Sequence, residues 1–476
     1  MASVTERLED VLERVAPQWG IRPVPESLRR LAALDLAVLW GDLSIGLLVL
    51  ASGALLVPAL GLPHALLAIA LGSAVGSAPL ALIGTAGARE GVPGMVLFRP
   101  VLGRRGSYLP SAANLVQLVG WTAFELWAMA RVANAVSRDL FGLDAYLLWL
   151  GVVAVVCTAL ALAGPIFTIR RWLERFGVWV VAAVCVWITI RVLSLGGIGK
   201  LWSRPGEGGL PFWLAVDLVI AMPVSWLPLV ADFNRFARDP RRSAIGTFWA
   251  YAGGNLWFYA LGAMLVLAAG STPDVFDIGT TIAAAAGGAV VLVVLLVGET
   301  DQAMANIYSG AVSVQNVMPR ASQRALIVGV AASGSLIASL LRESAATTFQ
   351  FFLLLIGSVF VPLFAVFLAD WGVKHRGRYG EGALFDLAPP GVRWRAIVPW
   401  VAGFVIYQWC VPTGPGWWTD SVGHLFATVR LPFPLIAGSP LGASAPSFAV
   451  AFVLALLVLP RGPAATSTDR PYRQIG

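Results

Sequence analysis

Runs of about 20 mostly apolar residues recur along almost the whole chain, and such runs leave few folds open. A helix of that length crosses the hydrocarbon core of a bilayer and satisfies its own backbone hydrogen bonds there. Strands of a membrane β-barrel would be shorter and would alternate in polarity. A chain of 476 residues that is 58% hydrophobic and 12% charged also has too little polar surface to be soluble. The sequence therefore predicts an all-α polytopic membrane protein.

Charged and Gly/Pro-rich breaks divide the apolar runs into twelve predicted transmembrane helices. The spans are 31–57, 64–86, 108–137, 146–163, 176–193, 211–234, 245–269, 281–312, 325–341, 347–369, 396–411 and 445–459. Residues 1–30 and 461–476 are then a cytoplasmic N-terminal segment and a cytoplasmic tail. This topology places 26 of the 33 Lys and Arg residues on the inner side, as the positive-inside rule requires. We therefore expect a cell-membrane (inner or plasma membrane) protein with both termini in the cytoplasm.

The same topology explains the net charge of +7. Basic residues in short cytoplasmic loops orient a membrane protein and contact anionic lipid headgroups. We therefore expect the lipid bilayer and a small molecule as partners, no nucleic acid, and a monomer.

Two spans carry residues that interrupt a helix. The first has Gly41, Asp42 and Ser44 within an aliphatic run, and the sixth has Ser225 and Trp226 between two prolines. Proline removes a backbone donor and glycine permits unwinding, so both stretches favour broken helices. Interrupted helices at corresponding positions of two halves predict a transporter built from an inverted repeat, with its binding site at the breaks.

The third span holds a carboxylate at membrane depth. Glu125 follows Trp121 by four residues, so the two side chains lie on one face of a helix. A charge in this position costs about 2.5 kcal/mol or more, which makes it a functional-site hypothesis. An ion pair with Arg131 is the structural alternative, although a spacing of six residues does not place two side chains on one face.

The eighth span is also polar within an apolar context. One face offers a free carbonyl, a hydroxyl and a carboxylate, which are suitable ligands for a small cation. These groups belong to Val297, Thr300 and Asp301. Gln302 and Asn306 form a second, amide face that can make paired hydrogen bonds. We interpret Glu299, by contrast, as a structural residue.

Three stretches of the sequence resemble the nucleobase–cation symporter family of the purine–cytosine permease type. They are "VADFNRFARDPRRSAIGTFWAYAGGNLWFYALGA" (230–263), "NIYSGAVSVQNVMP" (306–319) and the Gly-Trp pair of the third span. The resemblance covers nearly the whole chain and implies a leucine-transporter-type fold. Residues 31–195 and 205–370 would then be the two halves of a five-plus-five inverted repeat, and 396–460 would hold two extra helices.

The resemblance also implies a substrate site. In that family a planar substrate lies between a Trp of the third span and a Trp of the sixth, which Trp121 and Trp226 match here. An asparagine that reads the ring matches Asn306, and Ser225 and Gln302 would line the same site. The family has a glutamine one turn after the first Trp, whereas this chain has Glu125.

A cation site between the broken first span and the eighth span is implied as well. It would use Gly41, Asp42 and Ser44 together with Val297, Thr300 and Asp301. The family usually has hydroxyl residues at the last two positions, so Asp301 is a second departure. The coupling ion is accordingly sodium or a proton, and no cofactor is expected.

Glu125 suggests which rings the site prefers. A carboxylate only accepts hydrogen bonds unless it is protonated, so it suits a ring edge that presents two donors. Amino-substituted bases such as cytosine, adenine and hydroxymethylpyrimidine have that edge, whereas uracil and hydantoin fit less well. Asp42 would add to a preference for amino or cationic substrates.

Other functions remain open from the sequence. An amine or amino acid symporter on the same fold is the first alternative, and a channel or non-transporting sensor is less favoured. An enzyme is not expected, because the three histidines are isolated and no metal-ligand or P-loop spacing occurs. Asp232 and Arg235, at the cytoplasmic end of the sixth span, are interpreted as a structural or gating pair.

Overall fold

The computed structural model describes residues 20–164, 178–269, 289–341, 345–379, 381–385, 391–432 and 441–460. Within these ranges the chain is helical, and its β-type pairing is a single bridge between Leu31 and Ala237. Residues 1–19 of the predicted N-terminal segment, the start of the predicted eighth span (281–288) and the predicted tail 461–476 lie outside the described residues.

Every predicted span has a helix at its position, and we number these helices accordingly. They are α1a (Ala33–Asp42), α1b (Leu47–Ala54), α2 (Leu62–Glu90), α3 (Tyr108–Phe141), α4 (Tyr146–Ala163), α5 (Val178–Gly196), α6a (Phe212–Ser225), α6b (Val230–Asn234), α7 (Pro240–Ala269), α8 (Ala289–Val317), α9 (Gln323–Leu340), α10 (Ala345–Phe367), α11 (Trp394–Cys410) and α12 (Ser444–Val458). Among the described residues, six helices are long and apolar enough to cross a membrane, and the bent pair α1a–α1b is a seventh candidate. The number twelve and the inverted repeat remain predictions.

Both interruptions anticipated from the sequence are present. The axes of α1a and α1b differ by 55°. The second break separates the end of α6a at Ser225 from the start of α6b at Val230.

The helices form two groups around these breaks. Helices α1, α2, α6 and α7 pack against one another, and α3, α4, α8 and α9 form the second group. Small residues allow close packing in the first group, since a Cβ added to Gly72 would lie 2.5 Å from Val219 Cβ. Each group contains two pairs of helices whose members lie five helices apart along the chain, namely α1 with α6, α2 with α7, α3 with α8 and α4 with α9. The broken helices of the first group face the second group.

The last helix is anchored to a broken helix. Asp217 of α6a is buried and accepts hydrogen bonds from the backbone N–H groups of Ala443 (2.6 Å) and Ser444 (3.2 Å) at the start of α12. A carboxylate at this position satisfies N–H groups that have no partner within the helix. Asp217 thereby fixes the start of α12 relative to α6a.

Candidate functional site

The break in the first helix brings irregular backbone to the centre of the molecule. Ser44 Oγ donates to the carbonyl of Gly41 at 2.6 Å, so the serine side chain closes the end of α1a. Gly254 of α7 packs directly on this turn, and a Cβ there would lie 1.9 Å from Ser44 Oγ. The next carbonyl and amide groups of the break point to α8 instead.

Two side chains of α8 hold that segment. Gln302 Nε2 donates to the carbonyl of Ile45 at 3.0 Å, and Glu299 Oε1 accepts a short hydrogen bond from the backbone N–H of Leu47. A Cβ on Gly46 would lie 2.1 Å from Gln302 Nε2. Glycine therefore permits the break to approach α8 this closely.

Four carboxyl groups meet behind this contact. Asp42, Glu125, Glu299 and Asp301 are each at most 3% exposed. The Glu125 carboxyl faces that of Glu299 within hydrogen-bonding reach, and Asp42 faces Asp301 in the same way. Two carboxyl groups form a hydrogen bond only when one of them carries a proton. The arrangement therefore has places for two protons.

Nearby cations do not neutralise the four groups. Within the described ranges, no Lys, Arg or His forms a salt bridge with any of them. Arg131, the alternative partner of Glu125, lies over the Trp127 ring at 5.2 Å. Nor do three His, Cys, Asp or Glu residues converge as metal ligands in the described part of the chain.

The six residues anticipated for a cation site are only partly brought together. Asp42 and Asp301 meet, and Gly41 and Ser44 form the adjoining turn. Thr300 Oγ1 donates to the carbonyl of Val297 at 2.7 Å. Those two residues also line a largely apolar cavity of about 470 Å³ between α3, α4 and α8. The Asp42–Asp301 pair thus lies between α1 and α8. The Thr300 hydroxyl and the Val297 carbonyl instead form a hydrogen bond with each other.

The two tryptophans of the anticipated substrate site lie on either side of a contact between α3 and the α6 break. Gln117 Nε2 donates to the carbonyl of Ser225 at 2.9 Å, next to Trp226. Trp121 is one turn further along α3, and its Nε1 has no hydrogen-bond partner among the described residues. Both indoles are 5% exposed.

Other aromatic rings contact both indoles. Trp121 meets Phe352 of α10 with ring centroids 5.2 Å apart at 69°. Trp226 meets Trp40 of α1a at 5.9 Å and 81°. T-shaped contacts of this kind fix the orientation of an indole ring.

The amides anticipated on α8 have different surroundings. Gln302 binds the α1 break, as described above. Asn306, one turn further along, is buried, and its side-chain amide makes no hydrogen bond to any other described residue. An amide without a protein partner can read the edge of a ligand.

The Asp-Phe-Asn-Arg-Phe motif closes the end of the site that the sequence predicts to be cytoplasmic. Arg235 is fully buried and donates to the Gly20 carbonyl (2.6 Å) and to Tyr308 Oη of α8 (3.0 Å). Asp232 accepts from the backbone N–H of Gly94 at 2.9 Å. Asn234 of the same motif accepts from Trp40 Nε1 at 2.7 Å, so the motif also holds α1a.

Sequence reasoning missed two residues of this centre. Glu299 was interpreted as structural, yet it contacts both Glu125 and the α1 break. Gln117 was not singled out, although its position four residues before Trp121 was a usable signal. Their partners lie on other helices, and a single helix pattern does not identify such partners.

Broken helices that face a second helix group, with buried polar groups at the breaks, define a secondary transporter. The model of the family described as "Permease for cytosine/purines, uracil, thiamine, allantoin" matches residues 23–428. The chain belongs to this family of membrane permeases. It is therefore a multi-pass transporter and not an enzyme.

Individual relatives agree with this assignment. The chain is 26% identical over 411 residues to the putative purine-cytosine permease YxlA of Bacillus subtilis, covering 81% of this chain and 86% of that protein. It is 23% identical over 404 residues to the hydantoin permease of Microbacterium maritypicum, covering 80% of each. The solved structure of Mhp1, a nucleobase-cation-symport-1 family transporter with bromovinylhydantoin bound, superposes with a TM-score of 0.76 at 19% identity, covering 93% of this chain and 94% of Mhp1.

Proposed function

We propose that this protein imports a planar heteroaromatic ring, favours amino-substituted pyrimidines and purines, and couples the uptake to protons. It would do so in the plasma membrane as a monomer, with both termini in the cytoplasm. The observation that carries the proposal is the contact of Glu125 with Glu299 beside Trp121, because it joins a ring-binding position to a proton-binding position.

The substrate class rests on the two tryptophans of the anticipated site, Trp121 and Trp226. Base–aromatic stacking is worth about 1–3 kcal/mol for each base, so two indole faces would bind a flat ring strongly. An aliphatic amine or amino acid gains little from two such faces, which makes the amine symporter the weaker alternative. Asn306 would read the ring edge, since its amide is without a partner among the described residues.

Glu125 supports the preference for amino groups. One side of its carboxyl is used towards Glu299, and its other oxygen can accept a hydrogen bond from an exocyclic amino group. Uracil and hydantoin present a carbonyl where cytosine presents its amino group. That ring carbonyl and the Glu125 oxygen are both hydrogen-bond acceptors, so at least one of them would be buried without a partner. Such an unpaired group costs about 1–3 kcal/mol.

The carboxyl contacts support the proton as the coupling ion. Sodium in proteins is bound by several oxygens that surround it, whereas here Thr300 donates to Val297 and two carboxyl pairs face each other. Two facing carboxylates repel each other in a low-dielectric site unless they share a proton. Protons therefore suit this centre better than sodium.

Alternating access supplies the mechanism. A proton shared by Asp42 and Asp301 would hold the α1 break against α8 and complete the ring site at Trp121 and Trp226. Because each ligand would bind best to a backbone that the other has ordered, ring and proton would increase each other's affinity by the same factor. Movement of the group of α1, α2, α6 and α7 against the second group would then open the inner side.

A tryptophan-quench titration of the purified protein tests the substrate class. The panel would hold cytosine, adenine, hydroxymethylpyrimidine, uracil, hypoxanthine, allantoin, a hydantoin and thiamine, each with and without sodium at an acidic and an alkaline pH. We expect an amino-substituted ring to bind best, more tightly at acidic pH and independently of sodium. Preferential binding of uracil or hydantoin would contradict the role of Glu125, and no binding by any ring would favour an amine substrate.

A further inference from the structure

We propose, on the basis of the function proposed above, that Glu299 is a positioning residue that transmits the protonation state of Glu125 to the broken first helix. Glu299 touches both partners. Its Oε1 accepts from the N–H of Leu47, the first residue of α1b, and its carboxyl faces that of Glu125 on α3. The chain therefore has a direct link between a titratable group and the start of α1b.

The start of α1b is a place where a carboxylate binds well. The first N–H groups of a helix have no partner within it, and the helix dipole makes that end positive. A charged acceptor forms a stronger hydrogen bond there than a neutral one. The second contact, from Gln302 Nε2 to the Ile45 carbonyl, holds the same three-residue stretch from its other end.

Glu299 can stay charged and in place only while Glu125 carries the shared proton. If the Glu125–Glu299 pair loses the shared proton, two carboxylates at hydrogen-bonding distance repel each other. The Glu299 side chain then withdraws, and the N–H of Leu47 loses its acceptor. The start of α1b is thus held at low pH and released as the pH rises through the loss of that proton.

The other titratable groups around Glu299 act in the same direction. Asp301 on α8, Asp42 at the α1 break, the Cys185 thiol of α5 and the Cys157 thiol of α4 all interact electrostatically with this centre. Each of these groups is neutral when protonated and adds negative charge when it ionises. Their ionisation therefore adds to the repulsion on Glu299 and does not oppose it.

Hydrogen–deuterium exchange of the full-length protein in lipid nanodiscs tests the link. In the wild type, the segment 44–50 should exchange slowly at acidic pH. After correction for the intrinsic pH dependence of amide exchange, it should exchange about tenfold faster or more at alkaline pH. E125Q should keep the segment protected at both pH values, because its amide donates permanently to Glu299. E299L should remove the protection at both, and E207Q, at an exposed glutamate, should behave like the wild type.

The two near-isosteric glutamine variants keep the test decisive if E299L does not fold. E299Q retains an acceptor for Leu47 but no longer ionises, so its protection should not depend on pH. The proposal would be overturned if segment 44–50 of the wild type had the same corrected exchange rate at both pH values. It would also be overturned if the exchange rate of this segment still depended on pH in E125Q. Failure of the proposed function has a different signature, namely a wild type that binds no ring in the titration whatever the exchange rates are.

Discussion

At the scale of a single residue, Glu125 would contact both the ring and the proton of the proposed symporter. Its carboxyl lies one turn from Trp121 on α3 and faces Glu299 on α8. A proton on this pair removes a buried charge and leaves one oxygen as an acceptor for the ring. Selectivity and coupling would therefore depend on the same side chain.

Replacing Glu125 by Met should remove the preference for amino-substituted rings. Met has about the same length but no acceptor, so cytosine loses a hydrogen bond while uracil loses an unfavourable contact. We expect the ratio of cytosine to uracil affinity to fall about tenfold or more, measured by competition in the quench assay. E207M, at an exposed glutamate, is the control. An unchanged ratio in a folded E125M protein would show that another residue reads the amino group.

Removing either indole should weaken ring binding without changing selectivity. W121A and W226A each lose a stacking partner worth about 1–3 kcal/mol, which corresponds to a loss of about 5- to 150-fold in affinity. The exposed Trp249 of α7 is 70% accessible and supplies the control W249A. Titration of each variant with the best ring of the panel measures the effect. Affinities of W121A or W226A equal to that of W249A would exclude stacking at that position.

Several residues of the candidate site can be recognised in the sequence because they depart from the pattern of the apolar helices around them. Glu125 and Asp301 are carboxylates in apolar helices, and Gly46 and Pro228 lie in the breaks of α1 and α6. The pairing of Glu125 with Glu299 is different, since it depends on how α3 and α8 pack. Helical periodicity gives the face of one helix but not its partner on another.

At the scale of elements, the break in α1 is shaped by what it touches. Its N-terminal side closes on Gly254 of α7, and its C-terminal side is held by Glu299 and Gln302 of α8. The break thus joins the two helix groups. A change of backbone there would move both the carboxyl pairs and α1a.

Adding one methyl group at the break should uncouple it from α8. In G46A the new Cβ would lie 2.1 Å from Gln302 Nε2 and 2.7 Å from Glu299 Oε1, so both side chains must withdraw. We expect uptake into proteoliposomes to fall about tenfold or more, because overpacking costs about 1–3 kcal/mol. Gly253 of α7 has open space around it, so G253A is a matched control. Normal uptake by G46A would mean that the close approach is not needed for transport.

Helix ends show where the sequence prediction fell short. The prediction ended the third span at 137, whereas α3 continues to Phe141 and stops at Gly142, which has a φ of 68°. The seventh span was predicted from 245, but α7 begins at Pro240, and Asp239 Oδ1 accepts from the N–H groups of Arg241 and Arg242. Apolar runs locate the membrane core, while capping residues extend helices into polar sequence.

For the whole molecule, the side predicted to be cytoplasmic is closed by hydrogen bonds between distant parts of the chain. Arg235 joins the N-terminal segment at Gly20 to α8 at Tyr308, and Asn234 joins α6b to Trp40 of α1a. The contact of Arg235 with Tyr308 links the two helix groups at this end of the site. In the proposed mechanism, these hydrogen bonds would break when this side opens.

Replacing Arg235 by Gln should favour the state that is open to the cytoplasm. A shorter neutral side chain does not reach both Gly20 and Tyr308, so the closed state loses charge-assisted hydrogen bonds. We expect faster hydrogen–deuterium exchange in residues 20–31 and a higher rate of substrate efflux from preloaded proteoliposomes. The neighbouring exposed Arg238 provides the control R238Q. If R235Q and R238Q gave the same exchange and efflux, the motif would be structural and not a gate.

A proton-flux measurement in proteoliposomes tests most directly whether the uptake of the ring is coupled to protons. A pH-sensitive dye inside sodium-free vesicles would report the pH of the lumen while cytosine or the best ring of the panel is added outside. We expect the lumen to acidify during uptake, and we expect this acidification to be lost in the double variant E125Q/D301N. Uptake that requires sodium and leaves the internal pH unchanged would contradict proton coupling.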